Sequence, residues 1–205
     1  MAAFSKTAGI SVISLQELTS APRVVGASAY TSSEQDVSTK LAATIFARIG
    51  RIVTAAFTAG VKVRVEVSSA ASGERYWQPI TPFQTNLGAS VADEAVNGTC
   101  ASGQNVIPLA ITTGFAVGDL VYVDNTTTGN SEFCRVVTVT SNVSVTVADN
   151  LTNTQTGATV YNQAEEFIAT IDLIAIKRIR IVVDGSGAGQ NFAVEVFMVT
   201  GDSIA

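Results

Sequence analysis

The sequence predicts an all-β protein: a discontinuous antiparallel β-sandwich, jelly-roll-like, carrying an inserted small β-barrel of SH3 or OB type. Three observations support this. Val61, Val63, Val65 and Val67 alternate with Lys62, Arg64, Glu66 and Ser68, the period-two pattern of a strand buried on one face. The pattern returns late in the chain, where Arg178 and Arg180 alternate with Ile179 and Ile181. Between these flanks the style changes to short β-branched runs broken by Asn, Gly, Asp and Thr turns. Residues 1–91 with 165–205 are therefore read as the sandwich, and 92–164 as the inserted barrel.

Taken in order, residues 1 to about 15 read as an arm or first edge strand. Ser20, Pro22 and the polar run Thr31–Asp36 mark loops. Leu41–Val53 alternates at Leu41, Ala43, Ile45, Ala47 and Ile49, which fits a strand, although its alanines would accept a helix. Its β-branched residues and the break expected at Gly50 favour the strand. Val61–Ser68 is the clearest strand, with a solvated or partner-facing outer side. After the loop Ser69–Gly73, Tyr76–Ile80 reads as the next strand of that sheet.

Within the middle segment, strands are expected at Asn105–Leu109, Leu120–Asp124, Phe133–Thr140, Val143–Val147 and Thr159–Tyr161. Asn97-Gly98, Thr126–Asn130, Ser141-Asn142 and Asp149-Asn150 supply the turns. Five short strands in some 70 residues fit a small barrel. Phe167–Ile171 and Arg178–Val183 then resume long strands, Asp184–Gln190 turns, and Phe192–Val199 closes the sandwich. Inserting a unit at a loop is thermodynamically tolerable when its two ends lie close together.

The composition narrows the function. Apolar residues make up 47% of the 205 and charged residues only 14%, against roughly 25% charged in an ordinary domain. Such a chain tends to need a second surface to cover its apolar area. Between Ala92 and Ala164 stand Asp93, Glu94, Asp119, Asp124, Glu132 and Asp149 against Arg135 alone, a net of −5 that equals the charge of the whole chain. The flanks balance. No basic footprint for nucleic acid is present. The opening MAAFSKTAGISVISLQ lacks the apolar core of a secretory signal. The apolar run FIATIDLIAI is interrupted by Asp172, so no membrane span is expected. The expected compartment is a cytoplasm, and Cys100 and Cys134 are read as free buried thiols.

Catalytic readings fail on residue types. With no histidine, neither a hydrolase triad nor a His-ligated metal site can be assembled, and a cysteine nucleophile lacks its usual base. Gly185–Gly189 follows a strand as a dinucleotide loop would, but FAVEVFMV after it is a strand rather than the required helix. Asp119, Asp124 and Asp149 with Asn125 and Asn150 offer oxygen ligands, and are also ordinary turn residues. Asp93-Glu94 and Glu165-Glu166 read as hydrated hinge residues where the chain enters and leaves the insertion. Tyr76-Trp77 reads either as a core or interface anchor, or as a stacking platform for a sugar. The expectation is no enzyme, no cofactor and no metal.

The run GFAVGDLVYVD, then NSEFCRVVTV, VTVADNLT and GATVY, resembles small β-barrel modules recurrent in structural proteins of tailed bacteriophages. The flank VRVEVSSAASGERYWQPITPF is similar to β-sandwich sequences of such virion proteins. The resemblance implies a non-enzymatic virion protein assembled in the bacterial cytoplasm. Within that class it is most like a capsid decoration (cement) protein, with tail-tube and head–tail connector subunits as alternatives. Its implied partners are the major capsid protein or other virion proteins, and further copies of itself, a trimer being plausible. Candidate contact residues are Val61, Lys62, Arg64, Glu66, Tyr76, Trp77, Arg178 and Arg180, together with the N-terminal arm. A carbohydrate-binding module built on Tyr76 and Trp77 is the alternative from another class.

Overall fold

The computed structural model describes residues 10–13, 23–26, 28–52, 61–73, 76–85, 92–127, 129–184 and 191–202, and among them every regular element is a strand. In chain order these are β1 (Ile10–Ile13), β2 (Arg23–Val25), β3 (Tyr30–Thr31), β4 (Gln35–Asp36), β5 (Lys40–Arg51), β6 (Lys62–Ser68), β7 (Gln78–Gln84), β8 (Asp93–Ala95) and β9 (Thr99–Cys100). There follow β10 (Val106–Pro108), β11 (Leu120–Asp124), β12 (Glu132–Thr140), β13 (Ser144–Val147), β14 (Gln155–Thr156), β15 (Thr159–Asp172), β16 (Arg178–Val183) and β17 (Phe192–Asp202).

Antiparallel sheets pack face to face as a β-sandwich. One runs β1-β17-β5-β15 and continues through β11-β12-β13-β10, with β2 also on β17 and β8 also on β15. The other runs β3-β16-β6-β7, with β4 also on β16. The inward phases meet as the alternation requires: Ala43, Ile45, Ala47 and Ile49 of β5 and Val194, Val196 and Met198 of β17 face Val63, Val65, Ile179 and Ile181. Each such branched side chain contributes roughly 1.5–3 kcal/mol on leaving water. Phe83 of β7 stacks on Phe167 of β15 with ring centroids 5.7 Å apart, tying the two layers together. Pro79 and Pro82 of β7 lack an N–H, which restricts such a strand to a sheet edge, and among the described strands β7 pairs with β6 alone.

A second core lies wholly within residues 92–160, with Ile107, Leu109, Val121, Val123, Val145, Val147 and Val160 fully buried. Its strands curl round on themselves. β8 pairs with β15, then β11, β12, β13 and β10 follow in order, and a bridge between Val96 and Leu109 brings the end of β10 back to the chain leaving β8. That closes a small barrel. The two ends of the middle segment lie side by side: the Asn162 N–H donates to the Ala92 carbonyl at 3.0 Å, and the Ala92 N–H donates to Asn162 Oδ1 at 2.8 Å.

The junction differs from the sequence expectation. Thr159–Tyr161 and Phe167–Ile171 are not two strands but parts of one, the fourteen-residue β15. Its first part pairs with β11 and β8, and Glu165–Asp172 pairs with β5. The boundary expected at 164/165 falls inside this strand, so Glu165-Glu166 is ladder backbone rather than a hinge, and Asp93-Glu94 lies in β8. Gly50 is not a break either. It pairs with Ala193 within β5, and a Cβ there would stand 2.8 Å from the Phe133 ring and 3.0 Å from Tyr122 Cβ. The glycine is what lets β5 approach the barrel.

Smaller differences have local causes. The polar run at 31–36 holds two-residue strands, β3 and β4, because β16 offers them an edge. β7 begins at Gln78, two residues later than expected, since Tyr76 and Trp77 turn across the sheet. Of the expected arm, β1 is described and pairs with β17; its remaining residues, and Gly185–Gln190, lie outside the described set.

Gly50→Val is expected to destabilise the protein by about 2 kcal/mol or more through overpacking against Tyr122. Urea unfolding followed by far-ultraviolet circular dichroism measures it; an unchanged midpoint would mean that the junction has slack.

Candidate interaction site

The eight contact candidates lie on or beside the five-stranded sheet, and the structure uses most of them internally. β6 and β16 are neighbours with Arg178 opposite Ser68, Arg180 opposite Glu66 and Val182 opposite Arg64, so the polar phases of both strands share the outer face. Arg180 Nε donates to Glu66 at 2.9 Å, and Arg64 reaches Glu66 at 3.7 Å and Asp184 at 2.9 Å. Arg178 donates to the carbonyls of Ala70 at 2.8 Å and Gly73 at 2.6 Å, and pairs with Glu34. The Trp77 ring lies 4.9 Å from the Arg178 guanidinium and 4.3 Å from that of Arg180. Stacked cations of this kind contribute about 0.5–2 kcal/mol each.

The outer side of β6, expected to be solvated or partner-facing, is in part covered by the chain itself. Val61 is fully buried in the core, and Glu66 and Arg178 are buried with their charges already paired, Arg178 against Ala70, Gly73 and Trp77. None of the three offers a surface to a partner. Arg64, Arg180 and Trp77 are half-buried; Lys62 and Tyr76, the latter 61% exposed, face solvent. Trp77 is thus an anchor that holds the loop and places Tyr76 beside it. With two guanidiniums on its ring, it is a poor sugar platform.

A second group gathers at the junction, and of it the sequence singled out only Glu166, as a hinge residue. Glu166 of β15 accepts from Arg48 Nε of β5 at 3.0 Å through Oε1 and from Arg135 Nη2 of β12 at 3.0 Å through Oε2. Arg48 also reaches Glu195 of β17 at 3.4 Å. Four strands are joined by this row of alternating charge. Each residue has the outward parity of its own strand, but only the sheet order makes them neighbours. Beside the row lies a cleft of about 340 Å³, lined by Arg48, Phe133, Cys134, Arg135 and Asp149 among others.

Electrostatics at the junction follow from burial. Removal from water pushes Glu195 up to about 7, against the pull of Arg48. Burial also pushes Cys134 up to about 12 and raises Cys100, whose thiol donates to the Val106 carbonyl at 3.1 Å. Both cysteines are free, and thiols held protonated are poor nucleophiles. The candidate oxygen ligands are dispersed. Asp119 accepts from the Ala116 N–H at 2.8 Å, Asp124 faces Ser131, Asn125 donates to Gln155 at 2.7 Å, and Asp149 and Asn150 line the cleft. Among the described residues no three His, Cys, Asp or Glu side chains converge.

No family model matches the chain, and no curated protein does. Among solved structures it is similar to VP17, a capsid protein of bacteriophage P23-77, at 8% identity over 98% of this chain and 100% of that one. The TM-score is 0.21, and a likeness of that size carries no argument about fold or role.

Two outcomes are expected from this geometry. Arg178→Met leaves the Ala70 and Gly73 carbonyls and Glu34 without their donor. It should lower stability by about 2 kcal/mol and expose the chain at Ser69–Gly73 to limited proteolysis; unchanged cleavage there would show that Ala70 and Gly73 are held otherwise. For Glu195, the folded pKa lies above the ordinary glutamate value of 4.5, so the native state binds the extra proton. Its contribution is fully present below that value and is lost as pH rises through about 7. Glu195→Gln should therefore gain stability relative to the parent as pH goes from 5 to 8 (urea midpoints read this directly), and parallel pH profiles would refute the assignment.

Proposed function

We propose that the chain is a non-enzymatic structural protein of a bacteriophage particle, and within it a capsid decoration (cement) protein. One observation supports this reading above the rest. The strands that carry the virion-module pattern, β11, β12, β13 and the start of β15, form a closed barrel continuous with the sandwich through β15. The result is a stiff two-part body, one part neutral and the other holding the whole net charge. In this reading the neutral sandwich grips capsid subunits and the acidic barrel faces solvent. Each bound copy favours the assembled shell by mass action, by about 2.7 kcal/mol when free protein stands at a hundred times its dissociation constant.

Tail-tube and connector subunits belong to the same class and differ in where they sit. The sugar-binding alternative has lost its ring, since Trp77 is engaged by Arg178 and Arg180.

Cryo-electron microscopy of particles carrying this protein tests the proposal. Density for it on the outer shell, and earlier thermal rupture of particles that lack it, are expected. Its absence from particles, or its presence as stacked rings in a tail, would remove the decoration role.

A further inference from the structure

The cleft at the junction is assembled by backbone whose placement the register fixes. Its floor is β12 from Phe133 to Arg135. One wall is the chain that follows β13. There the Ala148 N–H donates to the Arg135 carbonyl at 2.8 Å and the Thr152 N–H to Glu132 Oε2 at 3.0 Å, so Asp149 and Asn150 stand along β12 between those two points. The other wall is Arg48 of β5, tied to Arg135 through Glu166. The Cys134 thiol on the floor feels Arg48 and Asp149 in opposite senses, as a group flanked by both must. At about 340 Å³ the cleft has the size of a small-molecule site, and it lies where two folding units meet, as many such sites do.

The hydrogen-bonding capacity left free decides what fits. Glu132 is taken up by the N–H groups of Thr152 and Asn153 and by Gln155. Arg135 uses Nη1 on the Gly118 carbonyl and Nη2 on Glu166, which leaves Nε; Arg48 donates through Nε and Nη1, which leaves Nη2. Asp149 and Asn150 are exposed, and among the described residues their side chains make no hydrogen bond or ion pair. The opening thus offers guanidinium donors on one side, a carboxylate acceptor on the other, and a carboxamide that does both. An anion would be held by the arginines and repelled by Asp149, and a cation the reverse. Arg48 and Arg135 are balanced by Glu166 and Asp149, so no net field selects either ion. Hydroxyl groups answer both walls, because each donates one hydrogen bond and accepts others. They also leave water at lower cost than ionised groups do. The Phe133 ring adds an apolar patch to the floor.

We propose that this cleft binds a neutral sugar, held by hydroxyl hydrogen bonds to Asp149, Asn150 and the free N–H groups of Arg48 and Arg135, with the apolar C–H face of the ring on Phe133. A carboxylate and a carboxamide each present two adjacent hydrogen-bonding atoms, which suits the neighbouring hydroxyls of a sugar ring. The guanidiniums are positioned in advance, because Glu166 holds both of them from the ladder of β15, and groups already fixed lose less entropy on binding. The site is separate from Tyr76 and Trp77. It does not depend on the decoration reading, because the purified chain alone displays it.

Amide proton–nitrogen correlation spectra of the isotope-labelled full chain test this, with the methyl glycosides of glucose, galactose, mannose and N-acetylglucosamine as probes. A small polar cleft should bind with a dissociation constant of about 1 mM. At least one glycoside should give saturable shifts centred on Arg48, Phe133–Arg135 and Ala148–Thr152. Asp149→Ala removes an exposed side chain that has no partner in the chain, so it should keep the urea midpoint. It should weaken the glycoside by about tenfold, the loss of one hydrogen bond to a charged group. Asn150→Ala gives a second reading, and Lys62→Ala, on the outer face of the other sheet, should change nothing. Acetate, methylammonium and glycine are the anionic, cationic and zwitterionic controls. No saturable shift with any glycoside overturns the proposal, and so do shifts centred on Tyr76 and Trp77. Saturable binding of a control in the cleft where the glycosides fail overturns it too, as does glycoside binding that Asp149→Ala and Asn150→Ala both leave unchanged.

Discussion

The hydrogen-bond ladder of β15 is the constraint on which the rest of the structure depends. Thr159–Ala164 is paired into the barrel, and Glu165–Asp172 is paired to β5 without an intervening loop. An inserted unit is commonly joined by two flexible linkers, and its motion relative to the host is then the default. Here one of the two connections is a strand whose backbone groups are committed on both sides of the crossing. Bending it would break inter-strand bonds in the middle of a sheet, where no water stands ready to replace them. Asn162 holds the other connection against the same strand through Ala92. The barrel is therefore a rigid extension of the sandwich, with a fixed direction.

That rigidity explains the chemistry at the crossing. Two sheets that merge must bring polar outer phases together, and Arg48, Glu166, Arg135 and Glu195 meet there because the register leaves them no other position. Exposed pairs of this kind contribute at most about 1 kcal/mol each, so they align the junction more than they stabilise it. Glu195 differs because it is buried. Arg48 is shared with Glu166, and its pull does not repay the loss of water around Glu195. Gly50 makes the opposite contribution: by having no side chain, it allows Tyr122 and Phe133, whose rings stand 5.1 Å apart, to close over β5.

Much of the fold was legible because alternation is a local signal. Val61–Val67 and Ile179–Ile181 announced their strands, their inward side and the sandwich they share, and the turn chemistry placed β10 to β13 to within a residue or two, while β8, β9 and β14 carried no such signal. The junction was not legible. Nothing in the string TVYNQAEEFIATID distinguishes two strands around a hinge from one long strand, since Glu165 and Glu166 suit either; the decision lies in β5 and β11, which are distant in sequence. The outer face of β6 was misread for a related reason. Lys62, Arg64 and Glu66 look solvated as a string, whereas Arg178 and Trp77 arrive from elsewhere to bury part of that face. Charged residues on the outward phase of a strand mark its orientation, and only the neighbouring strands determine whether water reaches them.

The two outer faces of the sandwich are not alike. The five-stranded sheet is guarded: Pro79 and Pro82 blunt its β7 edge, Lys62 stands at its end, and Ala70, Gly73 and Trp77 are held against it by Arg178. Such features prevent unwanted pairing of sheets. Among the described residues the large sheet has no such clamp along Ile168 and Phe46, although Arg48, one row away, lies over the Phe197 ring. Substituting a lysine for Ile168 would cost the core nothing, because the side chain does not enter it. Among the described residues the two outer faces are therefore finished differently: Arg178 and Trp77 hold Ala70 and Gly73 against one, whereas Ile168 stands 63% exposed on the other.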